Sequence, residues 1–144
     1  MQTRELVELY FTGKYKRGVI VRFLMPCDDP NRELRNKFGI VLNTDLRDPD
    51  VFLAITTTNQ RFLGARFIVN DTLRLKGGEY TCFPTDTIVS LREIKRYELA
   101  WLKQLCLHGN MTFEGDMSSP DMTEIDQKLA ASQLIEGVVL KRIT

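Results

Sequence analysis

The groups in this chain best suited to chemistry at a phosphate are Lys37, immediately before the apolar run FGIVLN, and the threonine triplet Thr56, Thr57 and Thr58 that ends the run VFLAITTT. A lysine ammonium is a compact cation with three donors, and a threonine hydroxyl both donates and accepts. Together they can neutralise a phosphate oxygen and fix an attacking or leaving group. Further candidates for holding a polyanion flank them: Arg22 inside the run GVIVRFLM, Arg32 and Arg35 in the polar stretch before Lys37, and Asn59, Gln60 and Arg61 just past the triplet. Each has an ordinary structural reading as well. Threonines form strands readily and often end them at the surface, Arg22 alternates with apolar neighbours and can simply face water, and a lysine near an arginine is commonly a solvated loop charge.

Other chemistries find less support. Asp45, Asp48 and Asp50 surround Pro49 with no glycine at an EF-hand position, which reads as a turn, and no metal is expected. His108, the only histidine, lies at the end of a helical segment, where partial positive charge is favoured, so capping is its expected role and no Ser/His/Asp set can be built from it. Cys27, Cys82 and Cys106 are widely separated and odd in number, which argues against a zinc site or disulfide framework and for a reducing, cytoplasmic setting. No cofactor is implied.

With 144 residues, 43% apolar and 27% charged, the chain has the size and composition of one folded domain, neither disordered nor a multidomain enzyme. The formal net charge of +1 gives no overall case for a nucleic-acid or membrane partner. The distribution is uneven: nine basic and eight acidic residues in 1–50, eight and five in 51–110, and three and six in 111–144. No segment approaches the roughly 20 apolar residues that span a bilayer, and no basic region followed by an apolar run opens the chain. A soluble, unexported protein without membrane contact is the expectation.

The elements that must position these groups come mostly from β-branched apolar runs. GVIVRFLM and FGIVLN read as strands joined by the loop PCDDPNRELRNK, and VFLAITTT follows the turn TDLRDPD as a third. ARFIVN and TLRLKGGEYTCF add two runs, with Gly77-Gly78 supplying the positive φ angles that a tight hairpin needs, and PTDTIVSL adds another. Helical periodicity then appears at Leu99, Leu102, Leu105 and Cys106, with Gly109 as a C-terminal stop. Residues 110 onward read as a short polar connection holding Met111 and Phe113, then a helix capped at Ser119 with Pro120 in its first turn, and a break near Ser132. At the N-terminus, Leu6, Leu9 and Tyr10 fit either a short helix or an extended arm. The expected fold is mainly β, a small barrel of SH3-like type with a helix after the last strand and a helical C-terminal extension. It forms a single domain over 1–144, with 16–109 as core and 110–144 as extension.

The succession KRGVIVRFLMP, NKFGIVLNTD, DVFLAITTTN and TDTIVSLREIKRYELAWL resembles the PemK/MazF-like toxins of bacterial toxin-antitoxin systems, over roughly residues 16 to 103. The resemblance implies an SH3-like barrel that dimerises, a metal-independent endoribonuclease cutting single-stranded RNA by attack of the 2′-hydroxyl, and neutralisation by a cognate antitoxin. The family's catalytic Arg falls on Lys37, its following Pro on Phe38, its catalytic Thr on Thr56 and the neighbouring Ser on Thr57, while Val19 stands where an acid is usual. Lys37 and Thr56 are thus the expected catalytic pair. Arg22, Arg32, Arg35, Thr57, Asn59 and Arg61 are the expected RNA contacts. Lysine lacks the planar fork that grips two phosphate oxygens, so slower chemistry, or none, is expected. Two alternatives stand beside the nuclease: a barrel of the same descent that binds RNA or a protein without cutting, and a toxin acting on a protein target such as a topoisomerase. The acidic tail is expected either to complete the core as an amphipathic helical pair or to mask a basic groove.

Overall fold

Apolar runs that continue through both parities of a strand need cover on both faces, and this requirement organises the fold. In VIVRFLM, GIVL and VFLA, successive side chains on opposite sides of the pleat are all apolar but for Arg22. The computed structural model describes residues 3–25, 35–58, 71–132 and 135–144. The elements in chain order are α1 (Thr3–Lys14), β1 (Val19–Met25), β2 (Arg35–Val41), β3 (Asp50–Thr57), β4 (Thr72–Leu75), β5 (Thr87–Glu98), α2 (Leu99–Leu107), β6 (Met111–Asp116), α3 (Ser119–Ala131) and α4 (Gly137–Ile143). The run ARFIVN lies outside the described residues.

Among the described residues, six strands form one antiparallel sheet in the order β4-β5-β3-β2-β1-β6. The mainly β architecture with a helix after the long strand is therefore present. A closed barrel is not: among the described residues β4 and β6 are opposite edges with no pairing between them. Helices take over the role that closure would play. On one face, Ile20, Ile40, Leu42, Phe52, Leu73 and Leu91 meet Ile125 and Leu129 of α3 and Ile143 of α4. On the other, Val21, Phe23, Val41 and Leu53 meet Phe11 of α1 and Leu102 and Cys106 of α2.

Two further elements differ from the sequence reading. The 12-residue α1 turns Val7 and Phe11 to the sheet, with Tyr15 just beyond its end packed beside them, and leaves Leu6, Leu9 and Tyr10 exposed, so the buried stripe has the right spacing but a different phase. Met111–Asp116, read as a connection, is an edge strand beside β1, with Met111 buried and Phe113 packed on the same core. The expected terminators hold: His108 is the C-cap of α2 and Gly109 follows at φ +76°, and α3 ends at Ser132. The cap of α3 lies one residue earlier than expected, at Ser118, whose hydroxyl accepts the Asp121 N–H at 3.3 Å.

The acidic tail belongs to the core. Ile125, Leu129 and Ile143 are fully buried. Arg17 ties the tail down further, donating to the Leu42 carbonyl at 3.0 Å, the Ile143 carbonyl at 2.8 Å and Asp126 at 2.7 Å. Asp48 and Asp50, part of the acidic set around Pro49, hold the Arg142 guanidinium, which also lies 4.6 Å from the centre of the Phe52 ring. The Asp45–Asp50 turn is thus a docking point for α4. Among the described residues no helix is long and apolar enough to cross a membrane.

Candidate functional site

The strand ends that carry Lys37 and the threonine triplet open into one cleft. Its volume is about 780 Å³, and its walls are residues 36–38 of β2, residues 55–58 of and just beyond β3, and residues 82–85 with Thr87. Among the described lining residues there are five threonines, one cation and no carboxylate, so the surface suits an anion with several acceptor oxygens.

Sheet register decides which of these groups can act together. Residues directly opposite on antiparallel strands share a face, and consecutive residues on one strand do not. Lys37 pairs with Phe23, a member of the core under α1 and α2, so Lys37 emerges on that face. Thr56 pairs with Val89, which belongs to the core under α3 and α4, as does its strand neighbour Ala54. The Thr56 hydroxyl donates to the Phe38 carbonyl at 3.4 Å. The expected catalytic pair, Lys37 and Thr56, therefore borders a common cleft from opposite faces of the sheet. Thr57 is one residue on, opposite Ile88, and so shares the face of Lys37. The hydroxyl that accompanies the ammonium is that of Thr57.

The remaining candidates separate. Arg22 lies in β1 with its Nε 3.1 Å from Glu114 Oε1 and 3.4 Å from Thr112 Oγ1; its charge is met by a carboxylate of the neighbouring strand, and it does not line the cleft. Arg35 opens β2 opposite Met25. Arg32, Asn59 and Arg61 lie outside the described residues.

The sequence reading missed the opposite wall. Residues 76–86 join β4 to β5 and fold back on themselves: the Gly77 N–H donates to Asp86 at 2.7 Å, the Gly78 N–H to the Phe83 carbonyl at 2.9 Å and the Phe83 N–H to the Tyr80 carbonyl at 2.9 Å. A Cβ on Gly77 would sit 2.9 Å from the Pro84 carbonyl oxygen and the Thr85 backbone, so the close approach requires glycine there. The Tyr80 hydroxyl accepts the Ser118 N–H at 2.9 Å and donates to Asp121, clamping the wall to the start of α3; burial, then the Asp121 contact, push its pKa up. Phe83 packs edge-to-face on Phe38, with ring centres 5.4 Å apart. The tight hairpin expected at Gly77-Gly78 is absent: only Gly78 has a positive φ, +91°, and both glycines belong to the long connection from Leu75 to Thr87 that forms this wall. The Tyr80 clamp joins residues 38 positions apart, with no local pattern to announce it.

Groups able to move protons near neutral pH are sparse here. Burial raises the Cys82 thiol further above its ordinary value, away from the reactive thiolate, and His108 caps α2 outside the cleft. Neither the protein-family models nor the curated proteins compared with this chain match it.

Proposed function

We propose that this protein binds single-stranded RNA in the cleft between β2, β3 and the 82–85 wall, and leaves it intact. On this reading it shares descent with the PemK/MazF-like toxins and acts as a binding module. Metal-independent cleavage through the 2′-hydroxyl requires a cation and proton-transferring groups gathered at one phosphate. The observation that carries the reading is the sheet alternation, which puts Lys37 and Thr56 on opposite faces of a cleft whose described lining residues are rich in hydroxyls and include no carboxylate. An unstacked strand, with its bases available to side chains, is the form of RNA that such a cleft fits; a duplex hides them.

The test uses purified full-length protein with a mixed-sequence single-stranded RNA and a matched duplex, in chelator. Saturable binding of the single strand, weaker binding of the duplex and unchanged RNA termini after prolonged incubation are expected. Fragments ending in 2′,3′-cyclic phosphate would overturn the binding-only reading in favour of the nuclease, and equal or absent binding of both RNAs would remove RNA as the ligand.

A further inference from the structure

Adjacent residues of β2 present opposite chemistry to the cleft. Lys37 emerges on the face of Phe23 and Thr57, and Phe38 on the face of Ala54 and Thr56. Both Phe38 and Phe83 line the cleft, but Phe83 is 4% exposed and Phe38 only half-buried, so Phe38 offers the more accessible ring. The Phe83 contact and the backbone-bonded wall behind it hold that ring in place. On the other side, among the described residues no carboxylate pairs with Lys37.

From this division, and resting on the RNA reading above, we infer that the cleft straddles a splayed nucleotide across the end of the sheet, with its base against Phe38 and an adjoining phosphate at Lys37 and Thr57. The two contacts have different physical signatures. A phosphate contact releases counterions and weakens with salt irrespective of the bases, whereas a stacking contact is nearly independent of salt and needs a base. The recognised unit is therefore a single unpaired nucleotide with one flanking phosphodiester. A cytosine, uracil, adenine or guanine each offers a π face to Phe38, so the inference predicts little sequence preference from this contact alone.

Inorganic polyphosphate, a polyanion without bases, separates the contributions. Full-length wild type, Lys37→Met and Phe38→Leu are titrated with a single-stranded oligoribonucleotide and with polyphosphate at several salt concentrations, and far-ultraviolet circular dichroism confirms that each variant is folded. Lys37→Met is expected to weaken both ligands and to lower the salt slope for the RNA by about 0.7, the value for one phosphate contact on a single strand. Phe38→Leu keeps an apolar side chain toward the core and is expected to weaken RNA roughly tenfold, in the range of one stacked base, leaving polyphosphate affinity and the RNA salt slope unchanged. A Phe38→Leu loss that is equal for RNA and polyphosphate would overturn the division, as would a Lys37→Met variant with an unaltered salt slope. Binding of wild type to RNA with both variants unaffected would reject this inference alone, whereas no RNA binding by wild type would reject the function reading and this inference together.

Discussion

Leu129→Ala tests whether the C-terminal helices are part of the fold or a detachable cover. Leu129 is fully buried on α3, in the same core as Ile125, Ile143 and the sheet residues Ile20, Ile40, Leu42 and Phe52. Removing a buried leucine down to its Cβ loses transfer free energy and leaves a cavity, together about 2–5 kcal/mol. For a chain of this length, a loss of about 3 kcal/mol corresponds to a fall in Tm of roughly 6–12 °C. Truncation after Met117 is more severe, because it removes Ile125, Leu129 and Ile143, all fully buried. Burial of each aliphatic side chain is worth about 1.5–3 kcal/mol. The three together approach the roughly 5–15 kcal/mol by which whole domains are stable, so the truncated chain is expected not to fold. Urea denaturation followed by circular dichroism and by Trp101 fluorescence measures both. A Leu129→Ala loss below about 1 kcal/mol, or a cooperatively folded truncation, would refute the packing argument and restore the tail as a separable mask.

Two shorter predictions concern the turn and the wall. Hydrogen bonds from Arg142 hold Asp48 below the ordinary carboxylate range. Because the folded pKa is the lower one, the stabilisation is complete above the unfolded value and disappears as pH falls through the folded value. The stability gap between wild type and Asp48→Asn should therefore be widest near neutrality and shrink in acid; a gap independent of pH would count against the ion pair. Gly77→Ala forces a Cβ to within 2.9 Å of the Pro84 and Thr85 backbone, so a destabilisation of about 1–3 kcal/mol, with weaker RNA binding, is expected by denaturant titration and anisotropy.

Much of the frame is legible in the sequence because β-branched runs leave few alternatives. VIVRFLM, FGIV and VFLAI lie in strands, and the Leu99–Cys106 periodicity is a helix. The same runs also carried a message that the barrel reading did not use: Ile20 and Val21, or Phe52 and Leu53, are neighbours buried in different cores, the mark of a sheet covered on both sides. β5 runs on to Glu98 through Arg92, Lys95 and Arg96, which are exposed and so contribute little to an apolar pattern. β6 was masked by its polar residues, although Met111 and Phe113 already had the spacing of one strand face. For the site, the sequence points to Lys37 and the threonine triplet, which line one cleft, but does not say which threonine shares the face of Lys37. A strand places consecutive side chains on opposite sides, so the choice between Thr56 and Thr57 rests on the register with β5, a non-local property.

Amide chemical-shift mapping tests most directly whether RNA lies in the cleft. Isotopically labelled full-length protein is titrated with a short single-stranded oligoribonucleotide. RNA bound in the cleft produces saturable shifts concentrated at residues 36–38, 55–58 and 82–85 (excepting Pro84, which has no amide proton), with α1 and the outer edge of β6 unperturbed. Shifts concentrated on α1 and β6, or none at concentrations where RNA binds, would contradict that placement.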